Sequence, residues 1–324
     1  MLKGWQCNIH KRNLERITSI DEVQQANEDP NAIVWLDLTN PGDQDLEKIG
    51  KIFNLHPLAL EDATREHQRP KLEDYEEFYF VVFYSVTMNE KQELNISEVD
   101  MFLSKTYLIT VHEHAIPELD EVEHRWGRNS KQLEWGIGVL LYSMLDTIVD
   151  NYFPIVDALV DQAEELEDRI FEDRTRRGRI TYDLLDLKKR FLALRRVATP
   201  ERDVLNVLTN RDSPIFDEHV TIYFRDVYDH ITKLAETIDL YRDQVNTIMD
   251  ANLSLVSNDL NQVMRTLTVA SIILMADSLV AGVYGMNFEI IPELHWHFGY
   301  AYALVLMVGI SVLLFLIFRR LKWI

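Results

Sequence analysis

The chain has 324 residues, a formal net charge of −20 and a single cysteine, Cys7. The length allows more than one domain, and one thiol excludes an intrachain disulfide framework and fits a reducing compartment. The charge is uneven: from Met264 onward there are four basic and three acidic residues, so residues 1–263 carry −21, a body that repels nucleic acid and anionic lipid and attracts cations.

The opening Met1-Leu2-Lys3-Gly4-Trp5-Gln6 lacks the apolar core of a signal peptide, so the large soluble body is expected in the cytosol. Residues 1–130 mix strand-like and helical runs and predict an α+β domain, a mixed sheet with flanking helices. Ala32-Ile33-Val34-Trp35-Leu36 has a buried-strand pattern, and the aromatic and β-branched runs Phe78 to Tyr84 and Tyr107 to Val111 read the same way. Met88-Asn89-Glu90-Lys91 reads as the turn between two long strands. Asp43 to Phe53 and Pro117 to Trp126 read as helices, with Asp43 as N-cap of the first and Pro117 in the first turn of the second.

Residues 131–213 turn helical and charged and are expected to form antiparallel helices. Leu140 to Arg174 and Ile180 to Leu208 each contain one proline, Pro154 and Pro200, where a kink or break is expected. Arg174-Thr175-Arg176-Arg177-Gly178 reads as the hairpin between them. The paired carboxylates Glu164-Glu165 and Glu167-Asp168 read as a solvated face.

Residues 214–286 are expected to form one stalk helix running into a membrane span at about 266–286. No proline or glycine occurs between Pro214 and Gly282, and an unbroken helix of that length reaches roughly 100 Å. Val227, Ile231, Leu234, Ile238, Tyr241, Val245 and Ile248 alternate steps of four and three, a heptad seam. Such a seam must bury itself, either within the chain or against copies of the chain.

Thr266 to Met286 is long enough to cross a bilayer, and residues 301–318 form a second, slightly shorter span. Arg319, Arg320 and Lys322 in the tail, 319–324, favour the cytosolic side. Both termini then lie in the cytosol of a cell bounded by this cytoplasmic membrane, and the loop 287–300, with Glu289, Glu293, His295, Trp296 and His297, faces outside.

Heptad steps through the first span select Asn261, Met264, Thr268, Ser271, Met275, Ser278 and Gly282. This mixed polar and small stripe carries no charge. It suits the lining of a pore for a hydrated cation, or packing against the second span. Met264, Leu267 and Met275 are candidate apolar constrictions that close by dewetting. Asp277 lies one residue off the stripe. An acid in mid-span is costly and functional by default; hydrogen bonding to Ser278 or Ser311, an effect on conduction and proton coupling are its three readings.

His112-Glu113-His114 places two histidines on one side of a strand end, a candidate zinc pair. No phosphate-binding glycine loop, P-loop lysine pattern or nucleophile elbow is found, so no enzymatic activity is expected. Movement of ions then follows the electrochemical gradient. A divalent ion gains about 4.6 kcal/mol per 100 mV on entering a negative interior.

Tyr284-Gly285-Met286-Asn287, closing the first span, resembles the Gly-Met-Asn signature of the CorA family of magnesium and cobalt transport proteins. The resemblance extends to Val263 to Val269, to Pro292 to Trp296 in the loop, to the ending Lys322-Trp323-Ile324, and to Trp35-Leu36-Asp37-Leu38, Gln68-Arg69-Pro70-Lys71 and Tyr223 to His230 in the soluble part. It implies a funnel-shaped homopentamer whose long helices line one pore, with Tyr284, Gly285, Met286 and Asn287 as selectivity filter. Magnesium holds its water tightly. A ring of asparagine amides can hydrogen-bond that shell and still release the ion, which conduction needs.

The resemblance also implies gating by cytosolic Mg2+ bound between subunits, with Asp226 as one ligand and the strand turn, Asn89 with Glu90 adjacent, as its counterpart. Mg2+ is thus expected as both cargo and regulator, with Co2+ and Ni2+ as further cargo. Two alternatives remain: a proton-coupled zinc transporter on the same scaffold, against which Met286 speaks because that branch has isoleucine there, and a membrane-tethered sensor that transports nothing.

Overall fold

The structure is a computed structural model describing residues 2–8, 13–29, 31–65, 68–128, 136–172, 177–210, 213, 215–216, 218–286 and 296–323. It divides into two compact units, Met1–Glu172 with Tyr182–Asn246, and Asp173–Thr181 with Thr247–Ile324.

The first unit is built on one mixed sheet. Its strands are β1 (Leu2–Asn8), β2 (Asn13–Ile17), β3 (Ala32–Thr39), β4 (Lys71–Asp74), β5 (Tyr79–Met88), β6 (Leu94–Leu103) and β7 (Tyr107–His112), in the spatial order β2-β1-β3-β7-β6-β5-β4. The β3–β7 pair is parallel and its neighbours are antiparallel. β3 sits centrally with seven consecutive buried residues, as a strand covered on both faces must.

On one face, α1 (Ile20–Glu28), α2 (Asp43–Ile52) and α3 (Pro57–Asp62) close over Val34, Leu36, Phe80, Phe102 and Ile109, with Val23, Leu46, Ile49 and Phe53 from the helical side. Side chains of this size contribute about 1.5–3 kcal/mol each when fully buried. α1 begins on a capping box, Ser19 with Glu22. α2 does not use Asp43 as its cap. Gly42 holds that position without a side-chain bond and Asp43 is the first helical residue, where its charge still complements the helix dipole.

The other face carries α4 (Pro117–Arg128), α5 (Ile137–Asp150) and α6 (Tyr152–Glu172). Trp35 reaches through this layer to Trp126, edge-on with ring centres 6.4 Å apart. The chain breaks at Asn151, between α5 and α6, and not at Pro154. Pro154 lies in the first turn of α6, where its missing N–H is no loss. α7 (Arg177–Asn210) starts before Gly178 and runs unbroken through Pro200, whose neighbours Val197, Ala198, Val204 and Leu205 are all buried and hold the helix in place. Of the expected hairpin, 174–176 lie outside the described residues.

α6 and α7 run antiparallel. Tyr152 Oη meets Glu201, and Gln162 accepts from Arg190 at 3.1 Å. α8 (Glu218–Tyr284) is one helix of 67 residues. Its seam is consumed within the chain: Val227, Ile231, Leu234, Ile238, Val245 and Ile248 are buried. Tyr241 stacks on Phe191 of α7 and donates to Glu164 of α6, Asp239 pairs with Arg195 of α7 at 2.6 Å, and Gln244 donates to Glu167 of α6. Those acids of α6 are therefore not simply a solvated face.

The second unit contains the C-terminal part of α8 and α9 (Gly299–Arg320). α8 and α9 are each long and apolar enough to cross a membrane. Leu260, Val263, Leu274, Leu279, Val305, Val308, Val312 and Leu316 are exposed, a density of apolar surface that water does not tolerate.

Candidate functional site

Two places in the chain have the chemistry of cation handling. The first lies in the unit that carries the sheet. Asp146 and Asp150 stand one turn apart on α5, and His230 faces them from α8. One ligand atom from each lies within 4.8 Å of the others. His230 Nδ1 is 3.6 Å from Asp150 Oδ1 and, though buried, has no hydrogen-bond partner among the described residues. The ring is held edge-on by Phe153 of α6, with centres 6.0 Å apart.

The field at this place is negative. Burial pushes the Asp146 carboxyl up, and the Asp150 charge adds to it; His230 and Arg125 pull the other way, and Asp226 pushes up again. Tyr142, its ring tilted against Tyr223 with centres 5.1 Å apart, is pushed up to about 12 by burial and by Asp146 and Asp226. A divalent ion would relieve this repulsion. Two carboxylates and an imidazole suit Co2+, Ni2+ or Zn2+ well and Mg2+ through the oxygens.

Asp226, the ligand expected from the sequence, is exposed on α8 one turn before His230. The structure thus puts it beside a three-residue group that the sequence reading missed. The signal was present as two four-residue spacings, Asp146 to Asp150 and Asp226 to His230. Asn89 is engaged in its own turn: Oδ1 accepts from the N–H of Lys91 and of Glu93, each at 2.9 Å, and Nδ2 donates to Glu93. Glu90 beside it is exposed.

The His112-Glu113-His114 pair is not a metal site. His112 is buried with Nε2 2.8 Å from Asp37 and Nδ1 on the His114 carbonyl, which uses both ring nitrogens.

The second place is the apolar part of α8. Asn261, Met264, Leu267, Thr268, Ser271, Met275, Ser278 and Gly282 are all exposed. Ile273, Ala276, Asp277, Val280 and Tyr284 are half-buried on another face, and Ala303, Met307, Ile310, Ser311 and Leu314 are half-buried on α9. Ser311 Oγ donates to Asp277 Oδ2 at 2.8 Å and ties the two helices on these faces. Packing against the second span therefore uses a different side of α8 from the polar stripe.

The helix closes at the signature. Gly285 N–H donates to the Ala281 carbonyl at 2.9 Å and Met286 N–H to Val283. A Cβ on Gly285 would come within 3.0 Å of the Ala281 carbonyl oxygen, so the closing turn favours glycine. Asn287 and the loop residues Glu289, Glu293 and His295 lie outside the described residues.

A polytopic cation-transport protein is the class that such a body, stalk and pair of apolar helices define. A family profile described as CorA-like Mg2+ transporter protein matches residues 30–320. The chain is 34% identical over 302 residues to the cobalt/magnesium transport protein CorA of Thermotoga maritima, covering 91% of this chain and 84% of that one. It is 28% identical over 294 residues to the protein of the same name from Methanocaldococcus jannaschii, covering 90% and 92%. The complete structure of the CorA magnesium transporter from Methanocaldococcus jannaschii superimposes with a TM-score of 0.84 at 26% identity, covering 100% of this chain and 99% of that one. The chain belongs to the CorA-like Mg2+ transporter family.

Proposed function

We propose that the chain forms a passive, Mg2+-gated divalent-cation channel in the cytoplasmic membrane, assembled as a homopentamer, with Mg2+ as cargo and Co2+ or Ni2+ as further cargo. The observation that carries this reading is the stripe from Asn261 to Gly282. It is uncharged, polar or small apart from its methionines, and exposed on a face that α9 leaves free. Copies of α8 around an axis would bury it as a pore wall, with Met264, Leu267 and Met275 as constrictions and Tyr284 to Asn287 as the outer filter. An amide ring there would hold the ion through its water shell.

Gating follows from the soluble unit. Asp146, Asp150 and Asp226 concentrate negative charge, and a bound metal stabilises whichever arrangement brings a neighbouring subunit's Glu90 close. Asn89 keeps its turn and lends no ligand. Both the relatives' printed names and the charge of the body support this reading. The zinc alternative draws on Asp277 and on a carboxylate and imidazole group that also suits Zn2+; Met286 speaks against it.

The test is Mg2+ influx into proteoliposomes under an inside-negative potential. Flux in the wild type and its loss in Asn287→Ala is the expected result. Equal flux in both removes Asn287 from the mechanism; no flux in either brings the sensor forward.

A further inference from the structure

The sheet face beneath α2 and α3 ends in a cavity of about 420 Å3, within the range of small-molecule sites. Ile96, Glu98 and Asp100 of β6 and Val111 of β7 line it from the sheet, and Leu46 of α2 and Ala63 after α3 from above. Asp100 is 5% exposed, and its Oδ1 accepts no hydrogen bond from any described residue. A buried carboxylate without a partner is costly, so it points to a missing positive group.

Among the described residues the neighbouring side chains do not supply one. Arg65 also lines the cavity but is paired with Glu61, and the Nζ of Lys71 of β4 lies 2.6 Å from Asp62 and 2.8 Å from Glu73. Glu98 already accepts from Tyr84 Oη and from the Gln68 N–H. Both nitrogens of His112 are occupied. Burial, then the Glu98 charge, with Asp62 adding and Lys71 opposing, pushes the Asp100 carboxyl up to about 8. At neutral pH the carboxyl is then mostly protonated, which lowers but does not remove the cost of its unpartnered oxygen.

We propose that this cavity binds a small organic ammonium ion, its N–H groups on Asp100 Oδ1 and its carbon chain against Leu46, Ala63, Ile96 and Val111. A metal ion fits less well. Among the described residues no three ligating side chains converge here, whereas three do at Asp146, and a hydrated divalent ion needs polar contacts on all sides. The ammonium binds the ionised carboxylate, so below pH about 8 each binding event expels the Asp100 proton to solvent.

The test is calorimetric titration of the full chain in detergent micelles with n-butylammonium, against 1-butanol as the uncharged control. The expected result is saturable binding of one ammonium per chain above pH 8, absent for the alcohol. Affinity should fall about tenfold per pH unit below the carboxyl's midpoint, with an enthalpy that depends on the buffer's ionisation. Asp100→Asn, nearly isosteric, and Ile96→Trp, which fills the cavity and keeps the acid, should each weaken binding at least about tenfold. Unchanged binding in Asp100→Asn, equal binding of the alcohol, or no saturable binding to the wild type overturns the proposal. None of these results bears on ion flux, so this site and the pore stand or fall separately.

Discussion

Ser311 on α9 donates its hydroxyl to Asp277 Oδ2 on α8 over 2.8 Å, and the other carboxylate oxygen, Oδ1, is buried with no partner among the described residues. Asp277 is thus half-buried toward the second apolar helix, off the exposed stripe. Asparagine can accept the same bond. Asp277→Asn should therefore keep Mg2+ flux within about twofold of wild type, while Asp277→Leu should loosen the pair by an interhelical bond of roughly 0.6–2 kcal/mol. Flux in proteoliposomes at two pH values checks this. A pH dependence that disappears in Asp277→Asn would instead make the carboxyl a proton carrier, the behaviour of the zinc-transporting alternative.

Glu201 sits fully buried on α7 and accepts from the Tyr84 N–H at 2.9 Å and from Tyr152 Oη at 3.1 Å. Burial outweighs both bonds and pushes its carboxyl up from 4.5 to about 8. The folded chain then holds a proton that the unfolded chain releases near pH 4.5. Stability from this group is fully present below pH 4.5 and is lost as pH rises toward about 8. Glu201→Gln keeps an acceptor for both donors and cannot ionise. Thermal unfolding of wild type and variant should diverge progressively across that window, with the variant more stable at its upper end. Parallel pH profiles would mean that Glu201 does not titrate between them.

Sequence periodicity revealed elements better than it revealed partners. The buried run of β3 and the proline-free length of α8 are local properties, and both were legible. The seam from Val227 to Ile248 announced a helix–helix contact but not which helices, and α6 and α7 of the same chain occupy it. Pro200 read as a place for a kink or break because proline removes one backbone bond, yet buried neighbours on both sides hold α7 continuous. The group of Asp146, Asp150 and His230 escaped for the converse reason. Its halves come from helices far apart in sequence, and neither half is unusual alone.

The exposed methionines and leucine of the stripe predict a second phenotype. Met264, Leu267 and Met275 leave 53%, 59% and 68% of their surface open in the single chain, so copies around an axis would bring them together. A narrow apolar ring closes by excluding water, and a polar side chain restores it. Met275→Asn and Leu267→Asn should raise the flux that persists at high internal Mg2+, several-fold in each case, without loss of folding in detergent. Flux unchanged by both substitutions would place the barrier elsewhere.

Metal binding to the soluble unit has a readout independent of transport. An ion held at one hundred times its dissociation constant adds about 2.7 kcal/mol of stability, so the melting temperature of the full chain should rise with added Co2+ or Mg2+. His230→Ala should cut the Co2+ response at least by half and the Mg2+ response much less, because imidazole suits cobalt and magnesium prefers oxygen. Asp150→Asn should weaken both. Protons compete for the Asp146 carboxyl, which burial and the Asp150 charge push up, so the metal's effect should shrink as pH falls. Equal shifts in wild type, His230→Ala and Asp150→Asn would move the regulatory ion away from this group and toward Asp226 alone.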